Sequence, residues 1–104
     1  MNNIFQLPSP LPASELFESL ISTEKVVIER IISTGQATPP GEWYNQETDE
    51  WVILLQGKAE LSYENGERIF LQAGDYLMIP AHVKHRVEDT SSDPPCIWLA
   101  VHIK

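Results

Sequence analysis

Gly74-Asp75-Tyr76-Leu77-Met78-Ile79-Pro80-Ala81-His82-Val83-Lys84-His85-Arg86-Val87-Glu88-Asp89 is the stretch whose reading decides the fold. Gly74-Asp75 turns the chain, and Tyr76 to Ile79 is an apolar run too short for a helix. Pro80 ends that run, because proline has no N–H to give to a ladder. His85 to Glu88 then reads as a second short strand. Outward from this stretch the same grammar repeats. Lys58 to Glu64 alternates, with Ala59, Leu61 and Tyr63 on one side and Glu60, Ser62 and Glu64 on the other. Asn65-Gly66 follows, a hairpin signal whose residues tolerate the positive φ of a type I′ turn, and Arg68 to Gln72 is the returning strand.

Further upstream, Trp51 to Leu55 is a continuous apolar run that stops at Gly57. Val26, Val27, Ile28, Ile31 and Ile32 are β-branched and predict a strand ending near Gly35, with a turn at Pro39-Pro40-Gly41. Downstream, Ile97 to Ile103 closes the pattern after the Ser91-Ser92-Asp93-Pro94-Pro95 loop. Closely spaced short strands of this kind describe an all-β sandwich or barrel. One helix is expected, from Ser14 as N-cap to about Ser22, with Leu16, Phe17, Leu20 and Ile21 at helical spacing. The organisation expected is one domain: residues 1–24 as an N-terminal extension carrying the helix, then a β-barrel over 25–104.

Composition narrows the partners. The chain has 104 residues, 42% of them hydrophobic, and 15 acidic against seven basic side chains for a net charge of −8. That balance disfavours nucleic acid and anionic membrane surfaces, both of which demand positive potential. The lone Cys96 can form no internal disulfide, and the segment after Met1 lacks a secretory pattern, so a cytoplasmic location is expected. No apolar run approaches the roughly 20 residues that cross a bilayer.

Two stretches resemble the paired motifs of the cupin superfamily. Gly74-x5-Pro80-x-His82-x2-His85-x3-Asp89 follows the second motif, with His82 where glycine is usual and Asp89 where asparagine is usual. Glu50-x6-Gly57 matches the end of the first motif. Its upstream His-x-His pair is missing: depending on the gap, those positions hold Trp43 and Asn45 or Tyr44 and Gln46. The resemblance spans about residues 35–103 and implies a double-stranded β-helix, or jelly-roll barrel. It further implies a small-molecule pocket and a homodimer.

The resemblance places the His85 imidazole inside the barrel, where it can ligate a divalent metal or serve as a buried, hydrogen-bonded ring. Glu50, among apolar neighbours, would be costly facing inward unless it is paired, hydrogen-bonded or metal-bound. His82 could replace a missing upstream histidine or stand idle at the rim. Asn45 or Gln46 could lend an amide oxygen; only one faces inward, because adjacent residues of an extended segment point to opposite sides. The metal set expected is therefore Glu50, His85 and His82 with Asn45 or Gln46, and Tyr44 and His85 are the candidate catalytic acid and base. Trp43, Trp51 and Trp98 read as packing residues, His102 as a core or interface histidine, and Cys96 as a buried structural thiol.

These residues leave three functions open. A divalent metal (Fe, Mn, Zn or Ni undistinguished) would support an enzyme acting on a small polar organic acid or keto compound. The alternatives are a non-catalytic ligand-binding or sensing module, and a metal-free acid/base isomerase.

Overall fold

The computed structural model describes all residues, 1–104, and consists of strands joined by turns and loops. In chain order these are β1 (Leu16–Ser22), β2 (Val26–Ser33), β3 (Asp49–Gln56), β4 (Lys58–Tyr63), β5 (Arg68–Gln72), β6 (Tyr76–Ile79), β7 (His85–Thr90) and β8 (Cys96–Ile103). Five of them form one antiparallel sheet in the order β1-β2-β8-β3-β6, and three form a second in the order β5-β4-β7. The architecture is an all-β jelly-roll barrel.

Period-2 alternation explains which side chains fill it. On β3, Val52 and Leu54 point inward and are buried, while Trp51 and Ile53 face out. On β8, Trp98 and Ala100 point inward and lie opposite Leu54 and Val52. The smaller sheet supplies Ala59, Leu61 and Leu71 to the same core. Gly57 makes the tight step from β3 to β4 at φ +92°, where an added Cβ would sit 2.7 Å from Ser91 Oγ and 2.8 Å from Cys96 Sγ. That crowding and the positive φ both demand glycine.

Two expectations are corrected. Residues 16–22 form no helix; they are β1, paired in antiparallel register with β2 from Leu16↔Ile32 to Ser22↔Val27. A helix this short is marginal by itself, and the open edge of β2 offers hydrogen bonds along the whole segment. Arg30 reinforces the choice by pairing with Glu18 across the two strands at 2.5 Å. It also donates to the carbonyls of Ile4 and Gln6, at 3.0 and 2.6 Å, which ties the leading segment to β2.

The hairpin after β4 is likewise not a type I′ turn. Only Gly66 has positive φ there, +92°, and Tyr63 N–H donates to Glu67 O at 2.9 Å around a three-residue loop. Asn65 instead uses its side-chain oxygen to accept from Glu67 N–H at 2.9 Å. The side chain's own acceptor makes the longer loop stable, with glycine in the left-handed position.

Candidate functional site

One end of the barrel interior is polar. Glu50 opens β3 on the same face as Val52 and Leu54, in register with His102 of β8 and Ile79 of β6. It is only 6% exposed. His85 opens β7, also buried, and its Nδ1 lies 3.0 Å from Val83 O, which leaves Nε2 as the free ring nitrogen. Both residues line one cavity of about 70 Å³, room for more than one ordered water.

The loop ahead of β3 completes the wall. Tyr44 exchanges backbone hydrogen bonds with His85, at 2.7 and 3.1 Å, and its ring stacks on the imidazole with centroids 5.5 Å apart. Because the segment is extended, Tyr44 and Gln46 face the cavity while Asn45 points out. The inward pair at the missing His-x-His positions is therefore Tyr44 and Gln46. Asn45 meets His82 outside, Oδ1 to Nδ1 at 3.4 Å. His82 is exposed, holds φ +67° and stands apart from the cavity lining. The positive φ accounts for glycine being usual at this position in the motif.

Glu15, Phe17, Glu29, Ile31 and Trp98 close the opposite wall. Glu15 and Phe17 arrive because the first segment is a strand rather than a helix. Glu29 shares one face of β2 with Val27 and Ile31, so an inward carboxylate was readable there from the period-2 pattern. His102 shares the inward face of Trp98 and Ala100, and its Nε2 lies 2.8 Å from Glu29 Oε1. Of the remaining candidates, Trp43 lies under Arg86 at 5.8 Å, Trp51 packs on Tyr76 on the outer face, and Cys96 is buried against Lys58 O.

Electrostatics follow from this burial. Loss of solvent pushes the Glu50 carboxyl above the ordinary carboxylate range, while His102, His85 and the Gln46 amide pull it the other way. Burial, followed by the negative charges of Glu15, Glu50 and Glu42, pushes the Tyr44 phenol up. At neutral pH that phenol is a neutral O–H donor. Gln46 Oε1 is buried and has no hydrogen-bond partner.

An all-β jelly roll with an inward glutamate on one strand and an inward histidine after a Gly-x5-Pro motif defines a class of β-barrels. The profile of the family described as "Cupin domain" matches residues 30–102, and the chain belongs to that family. A protein named "putative mannose-6-phosphate isomerase" from Ralstonia eutropha JMP134 shares 40% identity over 100% of this chain and 97% of that one, with a TM-score of 0.92. A cupin superfamily protein from Desulfitobacterium hafniense DCB-2 shares 21% identity over 93% and 94%, at a TM-score of 0.74. The structure named FeII HppE shares 14% identity over 86% of this chain and 50% of that one, at 0.73, which is a likeness of fold alone. No curated protein matches the chain.

The donor set does not fit a resident metal centre of the kind the resemblance implies. Of the expected ligands only Glu50, His85 and Gln46 reach the cavity, and no three His, Cys, Asp or Glu side chains converge as a ligand group. His82 sits at the outer rim, and His102 is engaged by Glu29. One carboxylate, one imidazole and one amide oxygen fall short of the three or four strong ligands that hold transition metals.

Proposed function

We propose that this cupin binds a small polar molecule inside the barrel and moves a proton on it without a resident metal, an isomerase-type chemistry. His85 carries the proton through its free Nε2, Glu50 supplies the facing negative charge, and the Tyr44 phenol donates a hydrogen bond. The observation that carries this reading is the pairing of a buried, weakly solvated carboxylate with an imidazole fixed at Nδ1, in one cavity. An isomerase name on a 40%-identical relative of nearly equal length is consistent with proton-transfer chemistry. The sugar phosphate in that name fits this cavity less well: no Lys or Arg lines it to meet a phosphate, and three carboxylates do.

The test is a thermal-shift screen of small polar compounds in excess chelator, repeated with His85→Ala and Glu50→Gln. Stabilisers that act in chelator and lose their effect in both variants support the reading. Elemental analysis of untagged protein serves as the counter-test. One tightly held equivalent of Fe, Mn, Zn or Ni that disappears in His85→Ala and Glu50→Gln would replace it with the metalloenzyme.

A homodimer is part of this proposal. The outer face of the larger sheet carries exposed Tyr76 and Met78 beside Trp51, with exposed Ile103 and Ile21 elsewhere on it, and its Arg30–Glu18 pair is already neutralised. Pairing two such faces would keep the surplus carboxylates at the periphery. A sedimentation mass of one chain at micromolar concentration would overturn it.

A further inference from the structure

We propose that the ligand is a small organic cation, a primary alkylammonium ion seated on Glu50 and Gln46. This deepens the function proposed above and rests on its reading of the cavity as the ligand site. Three carboxylates, Glu15, Glu29 and Glu50, line the cavity, and no lysine or arginine does. Two of the three have partners. Glu15 accepts from Ser33 Oγ at 2.5 Å, and Glu29 is held by His102 at 2.8 Å. Glu50, 6% exposed, has no such bonded partner: the charges of His102 and His85 and the Gln46 amide only approach it.

Gln46 repeats the pattern, since its Oε1 is an acceptor shut away from water without a donor. Turning the amide over would aim that oxygen at Glu50, so the arrangement with Oε1 free is the stable one. Two acceptors on the cavity wall thus lack a full complement of donors: Gln46 Oε1 has none, and Glu50 has only the approach of the Gln46 amide. A buried acceptor in that condition costs free energy that a ligand donor recovers.

The missing group must bring both N–H donors and positive charge. An ammonium group has three donors in a compact head and keeps its charge at neutral pH, as lysine does with a pKa of about 10.4. The rest of the lining suits its tail. Phe17 and Trp98 offer aromatic rings, which attract cations, and Ile31, Val52 and Val87 are aliphatic. An anionic acid would instead enter against three carboxylates, and a neutral alcohol would leave the Glu50 charge uncompensated. With Glu50 and Gln46 holding the cation, His85 Nε2 remains free to hydrogen-bond a further polar group of the ligand.

The experiment compares n-propylamine, 1-propanol and propionate as probes of the intact protein in phosphate buffer. It reads the unfolding midpoint and the NMR signals of the Gln46 amide and the His85 ring. The expected result is that only the amine raises the midpoint and shifts both signals, with affinity falling at least about tenfold in Glu50→Gln. Glu50→Gln is nearly isosteric, and Gln46→Leu, which removes the second acceptor, should weaken the amine in the same direction. Equal or stronger effects from propanol or propionate, lost in His85→Ala, would overturn the cation while leaving the proton-transfer cavity standing. Displacement of the amine by an equimolar divalent metal would also overturn it. Silence from all three probes at millimolar concentration would reject the cation and the ligand cavity together.

Discussion

The Tyr44 ring lies 24° from parallel to the His85 imidazole, over main chains that exchange two hydrogen bonds. This contact fixes a loop residue to the first residue of β7, so the cavity wall and the proposed proton carrier move together. Tyr44→Ala should therefore cost about 1–2 kcal/mol of stability through lost burial and stacking. Tyr44→Phe should keep most of that stability while removing the phenol donor. Urea denaturation of both variants checks the order, and a Phe variant as unstable as the Ala variant would show that the hydroxyl, not the stacking, holds the loop.

Glu50 ties stability to pH. Its folded-state carboxyl is raised above the unfolded one, chiefly by burial, so the folded chain holds the proton more tightly. The resulting stabilisation is fully present below the unfolded pKa of about 4.5 and is lost as pH rises through the folded value. Glu50→Gln stays neutral throughout. It should melt higher than the parent at pH 7 and lose that advantage toward pH 4. A melting difference independent of pH would contradict this sign.

His102 stands between two inward carboxylates, bonded to Glu29 and in register with Glu50. His102→Ala should remove the partner of one and the neighbour of the other, costing about 1–3 kcal/mol. The cost is at the lower end for buried pairs because His102 and Glu29 retain 16% and 20% exposure. A double-mutant cycle with Glu29→Gln measures the pair, and a coupling near zero would show that His102 acts through packing alone.

Two residues with positive φ predict changes of opposite sign. Gly57→Ala meets the Ser91 and Cys96 side chains within 3 Å and should destabilise by about 2 kcal/mol or more. His82→Gly relieves a left-handed non-glycine residue and should gain about 0.5–1 kcal/mol, with ligand binding unchanged. Loss of binding in His82→Gly would return His82 to the site.

How far the sequence carries the reader depends on what each residue's signal consists of. Turn chemistry and alternation are local, so β3 to β8 could be drawn from Gly, Pro and β-branched positions alone. The inward facing of Glu50 was expected from the Glu-x6-Gly motif, since Trp51 to Leu55 is a continuous apolar run whose period leaves either face open. Leu16 to Ser22 misled because helical spacing and a strand's apolar content coincide in seven residues, and only the edge of β2 decides between them. With that segment read as a helix, Glu15 and Phe17 could not be assigned to the cavity. The choice between Asn45 and Gln46 was invisible as well, because it rests on the loop's backbone bridge from Tyr44 to His85, a contact 41 positions apart in the chain.

The position of β8 in the larger sheet bears on how the chain is made. It lies between β2 and β3 and is the only link joining the β1-β2 ribbon to the β3-β6 ribbon. Ribosomes deliver it after the other seven strands, so until then β2 and β3 each hold an unpaired edge. The nascent chain must wait as two hairpin-like halves that could pair with neighbouring chains, and its last strand is the seam that ends that exposure.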